Sequence, residues 1–564
     1  MLIASLCLWQ ITQVRFPKGF PMRDFQLPGR SPVLARHAMC ATSHPLAVEC
    51  AVGVMREGGN AVDAAVTAAL TMGLLEPAMT GIGGDAFALV WKEGDARPRG
   101  LNGSGRAPMA IDASMLRREG LSAVEQESAH AVTVPGAIDA FDTLLSEFGT
   151  YGWDRALAPS IKIAREGHPV AQRAAADWAA YSPRLTGDMA RHFLVNGERA
   201  PRMGEVFAYP ANAEALEIIA REGRAGFYEG PVAADMVATL NKHGGRHTLA
   251  DFAATKSTWV EPVSGHYRGM ELIELPPNGQ GVAAILMARI LEGFELDELD
   301  PHGPERAHIE AEAARLAYDA RNRLIADPDT PGADERLAHL MAEETVRRLQ
   351  EQIDPMAARS DLLESVADLH KLGAAIGTGG AQHKDTIYIT VVDADRTMVS
   401  LIYSVFHDFG SRIASERYGI NFQSRGAGFT LEEGHPNELK GGKRPMHTII
   451  PGMMAKDGKP YASFGVMGGA YQSNGHARLI SNLVDYGMDP QAAMDAPRSF
   501  FDKGYLSVER GYSRSALDRL GVMGHDARIA EGAIGGGQII IIDPQTGCLI
   551  GGSDPRKDGC ALGF

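Results

Sequence analysis

The pair Asp385-Thr386 sits where a glycine-rich approach, Gly377-Thr378-Gly379-Gly380, runs into the β-branched and aromatic stretch Ile387-Tyr388-Ile389-Thr390-Val391-Val392. Such a stretch reads as a strand. Thr386 would then offer a hydroxyl at the start of a rigid element, behind a segment that can be cut away. Scission before Thr386 would give that one residue both a nucleophile and a free α-amino group. An α-amine titrates at about 7.7–8, close enough to neutrality to accept the hydroxyl proton, so nucleophile and general base can coincide. A lone Asp-Thr dipeptide is usually an ordinary loop-to-strand junction, and the reading rests on what surrounds it.

Three groups add to it. Ser404 ends the strand-like run 397–404, which the turn Asp393-Ala394-Asp395-Arg396 joins to 387–392. Across an antiparallel pair its hydroxyl falls beside Thr386 and can orient it, although pairing alone describes a half-buried serine equally well. Gly468-Gly469 follow a strand-like run and precede a helix read at 475–486. Two such residues can aim backbone N–H groups at a developing oxyanion, aided by the helix N-terminus. Lys443-Arg444-Pro445-Met446-His447-Thr448 enters a strand and supplies polar groups for a substrate. Arg106, closing Asn102-Gly103-Ser104-Gly105-Arg106, can hold a substrate carboxylate or a surface acid.

Other motifs lead nowhere chemical. Thr80-Gly81-Ile82-Gly83-Gly84-Asp85 lacks the GxGxxG spacing and a following helix, so it reads as a tight turn rather than a dinucleotide site. His308 reads as a packed residue, with no second His or Cys at metal spacing. Neither a metal nor a cofactor is called for.

The elements that would position these groups follow from patterning. Residues 44–76 read as two helices split by Gly58-Gly59-Asn60, the second alanine-rich and suited to close packing. From 128 to 256 the pattern is helical, with turns at Val134-Pro135-Gly136 and Gly226-Phe227-Tyr228. Two strand-like runs in 259–276 flank Tyr267-Arg268-Gly269. Pro276-Pro277-Asn278-Gly279-Gln280-Gly281 then breaks the chain before an apolar helix at 282–293 and a helical run at 303–325. Residues 327–380, polar and then glycine-rich, read as a surface excursion whose end must be mobile for cleavage. After Thr386 three hairpins follow: 387–392 with 397–404, 447–455 with 460–466, and 537–542 with 548–553. Helices layered over stacked antiparallel sheets are expected.

A chain of 564 residues outgrows one small core and makes roughly two to four domains or one large layered unit. A net charge of −15 without any basic block argues against nucleic acid or an anionic membrane as partner. Five cysteines without CxxC spacing argue against a disulfide scaffold or a zinc site. No apolar stretch reaches the about 18 residues of a membrane span. The run Leu2 to Leu8 has no cationic region before it and no cleavage site after it, a poor secretory signal. Residues 1–33 read as an unstructured leader, with Met22 an alternative start, and the location expected is cytoplasmic.

Together these stretches resemble the γ-glutamyltransferase family of N-terminal-nucleophile hydrolases, from residue 34 nearly to the end. The resemblance rests on Thr80 to Asp85, Val134-Pro135-Gly136, Ser264 to Gly269, Pro276 to Gly281 and Asp385 to Asp393. It continues in Lys443-Arg444-Pro445, Gly468-Gly469 and Asp543 to Gly547 through Gly552-Ser553-Asp554-Pro555-Arg556. It implies an α+β fold, a four-layer αββα sandwich made as one precursor. The precursor would cut itself between Asp385 and Thr386 into a large subunit, 34–385 after the leader, and a small subunit, 386–564, which stay associated. Thr386 would be the nucleophile, Ser404 would stand for the family's supporting threonine, and Gly468 and Gly469 would form the oxyanion hole. The substrate would be a small-molecule amide, its acyl group released to water or an amine acceptor. Association with further copies of the chain is left open.

Departures from the family pattern bear on substrate. Where glutathione-cleaving members place Asn, Gln and Asp around the glutamyl α-amino group, this chain has Phe406, Arg425 and Gly428. Where they use paired serines on the substrate carboxylate, it has His447 and Thr448. Their carboxylate-binding arginine falls near Ser104, with Arg106 two residues on, and the loop between Gly428 and Arg444 is short. An ammonium facing Arg425 would meet repulsion instead of a charge-assisted bond. The site therefore suits a small carboxylate-bearing amide, as in the family's oxamate amidohydrolases and, less well, its cephalosporin acylases. The alternatives are a true glutathione hydrolase or transpeptidase with a rearranged amino-group site, and an unprocessed relative that only binds.

Overall fold

The computed structural model describes residues 23–26, 29–360 and 386–564. Asp385 and the glycine-rich approach to it lie outside the described residues. Two seven-stranded antiparallel sheets carry the fold. One orders its strands Cys560–Gly563, Met39–Thr42, Ile387–Val392, Met398–Ser404, Asp85–Trp91, Arg99–Gly103 and Thr258–Val260. The other runs Val33–Ala35, Leu549–Ser553, Gly536–Ile542, Lys459–Met467, Gly452–Lys456, Met270–Glu274 and Val263–Tyr267.

Side chains alternate across a strand, and here both faces of each sheet are buried. Ile387, Ile389 and Val391 pack with the helices Pro45–Arg56 and Ala61–Leu75 on the outer face. Tyr388 and Val392 turn inward and meet Ile273, Met453 and Ile540 of the facing sheet. That facing sheet buries Leu272, Phe464, Val466 and Ile541 against the helices Gly281–Leu291, Pro304–Leu324 and Tyr471–Val484. Helix, sheet, sheet, helix is therefore the layer order, the four-layer αββα sandwich expected from the sequence.

The alanine-rich helix Ala61–Leu75 is buried nearly all round, which only small side chains permit at such close packing. Its start is fixed chemically. Asn60 Oδ1 accepts from the N–H groups of Val62 and Asp63, at 2.9 and 3.0 Å, while Asp63 Oδ2 accepts from Asn60 N at 3.0 Å. This reciprocal cap satisfies donors that a helix otherwise leaves open.

Three local expectations need correction. Gly226-Phe227-Tyr228 is not a turn but lies in the helix Arg224–Tyr228. Its glycine is there for contact, since a Cβ would meet the Ile218 carbonyl oxygen at 2.9 Å. The strand expected from 447 begins only at Gly452. His447 instead donates its N–H to Asn278 O at 2.8 Å and accepts from Gln280 N at 3.0 Å, so its backbone serves a crossing between segments rather than a hairpin ladder. The helix expected from 475 starts at Tyr471, one residue beyond the glycine pair.

Replacing Asn60 by Ala removes the cap and should cost about 1 kcal/mol of stability. A lowered unfolding midpoint, measured by circular dichroism, is the expected result; an unchanged midpoint would show that Asp393, which accepts from Ala61 N at 2.9 Å, caps the helix unaided.

Candidate active site

The hairpin register decides the first contact. Ile387 pairs with Tyr403, so the next step brings Thr386 opposite Ser404, and Ser404 in turn pairs with Asp85. Three polar residues thus lie in a row across three strands, all on the face opposite to Ile387. Thr386 Oγ1 donates to Ser404 Oγ at 3.3 Å, and Phe406 N donates to the same oxygen at 2.9 Å. Both hydroxyl residues are buried.

The glycine pair completes one side. Gly468 and Gly469 adopt φ of 125° and 58°, conformations open to glycine and strained for other residues. They join Lys459–Met467 to Tyr471–Val484, whose first N–H groups, on Tyr471 and Gln472, donate back to the carbonyls of Gly468 and Gly469 at 3.1 and 3.3 Å. Among the described residues the pair's own N–H groups have no hydrogen-bond partner, and they lie at the positive end of a helix dipole.

Two glutamines tie this turn to the rest. Gln280 Nε2 donates to Gly469 O at 3.0 Å and to Thr448 O at 2.6 Å, while its Oε1 accepts from Arg321 Nη1 at 2.6 Å. Gln472 Oε1 accepts from Ile450 N at 3.0 Å, and its Nε2 lies 3.5 Å from Thr386 Oγ1.

Arg425 lies in the short turn Arg425–Gly428 and is wholly buried. Its Nη1 donates to Thr448 Oγ1 at 2.8 Å, and its guanidinium carbon sits 4.0 Å from the centre of the Phe406 ring. Phe406 holds a φ of 81°, an unusual backbone for an aromatic residue. Its N–H bond to Ser404 and its stacking under Arg425 keep it there. Among the described residues Arg425 Nε and Nη2 have no hydrogen-bond partner. Burial pushes this guanidinium down to about 9, with Asp85 holding it up, so it remains cationic at neutral pH.

His447 is the opposite case. Its Nε2 lies 3.0 Å from Asp85 Oδ2, and its Nδ1 accepts from Ile449 N at 3.3 Å. The backbone donor at Nδ1 fixes the proton on Nε2. Burial, and then the Arg425 charge, push its pKa down to about 3, so the ring is neutral. Asp85 receives three further donors on Oδ1: Gly105 N and Gly136 N, both at 3.0 Å, and Gln423 Nε2 at 2.8 Å.

The expected residues therefore divide. Thr386, Ser404, Gly468, Gly469, Phe406, Arg425, His447 and Thr448 come together. Arg106 does not join them: its guanidinium donates to Gly442 O at 2.9 Å and pairs with Asp327 and Asp329 at 3.5 and 3.2 Å. Lys443 and Arg444 bind backbone, Lys443 at Glu438 O and Arg444 at Ser104 O and Lys256 O. Asp85, Gln280, Gln423 and Gln472 were not singled out from sequence, because their partners lie far along the chain.

His308 does acquire the companions that spacing failed to show. His525 and Glu312 bring their ligand atoms within 4.8 Å of one another and of His308. Those atoms are already engaged: His308 Nδ1 and His525 Nε2 share a 2.7 Å hydrogen bond, and Glu312 Oε1 accepts from Arg315 at 2.7 Å. Arg315 pairs with the same carboxylate. No helix among the described residues is long and apolar enough to cross a membrane.

Residues 47–564 match the family described as Gamma-glutamyltranspeptidase. The glutathione hydrolase-like YwrD proenzyme of Bacillus subtilis (strain 168) is 32% identical over 94% of this chain and 99% of its own. The oxamate amidohydrolase proenzyme of Klebsiella pneumoniae is 29% identical over 94% and 99%. The crystal structure of cephalosporin acylase from Bacillus halodurans superposes with a TM-score of 0.85, at 36% identity, covering 97% of this chain and 99% of that one. With its layered sheets, its buried Thr-Ser pair and its glycine turn, the chain belongs to the gamma-glutamyltranspeptidase family, as an enzyme of the hydrolase and acylase kind.

Proposed function

We propose that this protein cuts itself before Thr386 and then hydrolyses a small amide whose acyl part carries a carboxylate. In the first step Thr386 Oγ attacks the Asp385 carbonyl, its own nitrogen leaves, and water releases the resulting ester. The products, 34–385 with any leader and 386–564, stay together because strands from both interleave in both sheets: Ile387–Val392 pairs with Met39–Thr42, and Val33–Ala35 with Leu549–Ser553. In turnover the new α-amine takes the Thr386 hydroxyl proton and Oγ adds to the substrate carbonyl. The Gly468 and Gly469 N–H groups receive the oxyanion. The C–N bond breaks as the ammonium returns the proton to the leaving amine. Water, or an amine acceptor, then attacks the acyl ester.

One observation carries the substrate reading: the Nε and Nη2 of buried Arg425 have no partner among the described residues. These two N–H groups form one edge of the guanidinium, the geometry that meets a carboxylate with two parallel bonds. A buried cation left so is costly until an anion arrives. Phe406 links this edge to the nucleophile, touching Arg425 with its ring and Ser404 with its N–H. His447 and Thr448 act by holding the pocket, since His447 is committed to Asp85 and Thr448 to Arg425. A γ-glutamyl ammonium finds little welcome. Asp85, the acid nearest in the network, already accepts from four donors. An oxamate-like amide suits this pocket better, consistent with the likeness to an oxamate amidohydrolase proenzyme.

On a denaturing gel the wild-type protein should give two unequal fragments, the smaller beginning at Thr386 by N-terminal sequencing. Thr386→Ala should give one intact band and no turnover; a variant that still cuts would put the nucleophile elsewhere. Ammonia release from oxamate should exceed cleavage of γ-glutamyl-p-nitroanilide, and Arg425→Ala should cut kcat/KM for the best acidic amide by about 30-fold or more, the loss of a buried charge-assisted contact. Survival of that activity would remove Arg425 from substrate binding. Because the base is an α-amine, kcat/KM should rise with pH and level off above about 8, the range in which the ammonium loses its proton. A rate flat from pH 6 to 9 would exclude that base.

A further inference from the structure

We propose that Gln472 is a further catalytic residue: its side-chain amide N–H contacts the nucleophilic oxygen of Thr386 and stabilises charge there as the hydroxyl proton leaves. The inference rests on the reading of Thr386 as nucleophile and adds to it a group outside the threonine, serine and glycine set.

The geometry is directional. Gln472 is fully buried, on the first turn of the helix that follows Gly468-Gly469. Its Oε1 accepts from the Ile450 N–H at 3.0 Å. A backbone N–H can be met only by the amide oxygen, so the other end of the amide must be the NH₂. That end faces Thr386 Oγ1 at 3.5 Å. Thr386 Oγ1 itself donates to Ser404 Oγ, whose oxygen also takes the Phe406 N–H. The Thr386 hydroxyl therefore has an acceptor on one side and a donor on the other. The donor side is the one that gains strength as negative charge grows on Oγ.

The chemistry balances without any proton leaving Gln472. In self-cleavage no free α-amine exists yet, so Gln472 and Ser404 are side chains available to Oγ in both reactions. In turnover the Oγ proton moves to the α-amine, the Oγ–carbon bond forms and the Gln472 N–H stays a donor throughout. When Oγ becomes the ester oxygen, a weak acceptor, the contact relaxes. The amide thus favours the charged stage over the states on either side of it, which is the condition for acceleration rather than tighter binding.

The test compares Gln472→Met, which keeps length and removes the donor, with Gln472→Glu, which keeps shape and replaces the donor by an acid. Self-cleavage would be timed on denaturing gels, and the steady-state rate measured on the best acidic amide from pH 5 to 9. Gln472→Met should slow both reactions by about 10- to 100-fold, less than the about 100- to 1000-fold of losing one donor in an oxyanion hole because the contact is long at 3.5 Å, with KM changed less than kcat. For Gln472→Glu the rate relative to wild type should rise as pH falls, because only the protonated acid can donate to Oγ. The unfolding midpoint of each substitution in a Thr386→Ala background gives the cost to the fold apart from chemistry. If Gln472→Met destabilises the fold, the pH dependence of the Gln472→Glu ratio decides. Wild-type rates in Gln472→Met, or a Gln472→Glu ratio that does not vary with pH, would overturn the proposal. Failure of Thr386→Ala to block cutting would instead overturn the nucleophile assignment, and the two outcomes are distinct.

Discussion

Everything around Thr386 depends on satisfying one carboxyl group in a place closed to solvent. Asp85 is fully buried, and a bare carboxylate there would be strongly disfavoured. It is tolerated because donors reach it from four separate segments, through Gly105, Gly136, Gln423 and His447. Each donor brings its own segment to a fixed distance from the strand that holds Ser404 opposite Asp85. The approach demands missing side chains: a Cβ on Gly84 would strike the Ser404 carbonyl, and one on Gly105 the Val134 carbonyl. The Thr80 to Asp85 motif is thus a cradle for backbone rather than for phosphate.

The same enclosure bears on the charges beside Asp85. Burial, and then the Arg425 charge, leave His447 neutral although its bond to Asp85 pulls the other way. Asp85 holds the Arg425 guanidinium charged against the pull of burial. Among the described residues the pocket consequently offers a cation with one open edge and no acid with capacity to spare. The carboxylate of the proposed substrate would meet a complement prepared before it binds, so little reorganisation would be needed at the reacting carbonyl. The strained φ of Phe406, worth about 1–3 kcal/mol in such cases, is sustained by the same contacts that aim Arg425.

The sequence revealed what local pattern can encode. Alternating side chains and a four-residue turn set the register of the Thr386 hairpin, so Ser404 was foreseeable as its neighbour. A glycine pair between a strand and a helix was legible for the same reason, though the helix began four residues earlier than its polarity suggested. Contacts between distant segments were not legible. Gln472 lies 86 residues from Thr386, His447 lies 362 from Asp85, and His525 lies 217 from His308. Arg106 shows the same limit from the other side: its motif allowed a substrate carboxylate or an acid of the protein, and only the fold supplies Asp327 and Asp329.

For the proposed scission, topology sets the mechanical consequence. The strand that begins after Thr386 has hydrogen-bonded neighbours on both edges, Met39–Thr42 on one and Met398–Ser404 on the other. Cutting the bond before it removes no rung of either ladder. Separating the fragments would instead break ladders in both sheets and expose the inner faces that Tyr388, Met453 and Ile540 now fill. The new chain end therefore stays where the strand holds it. Its amine and hydroxyl belong to one residue, so base and nucleophile need no search to find each other. Most of the entropic cost of bringing them together has been met by folding before the bond breaks.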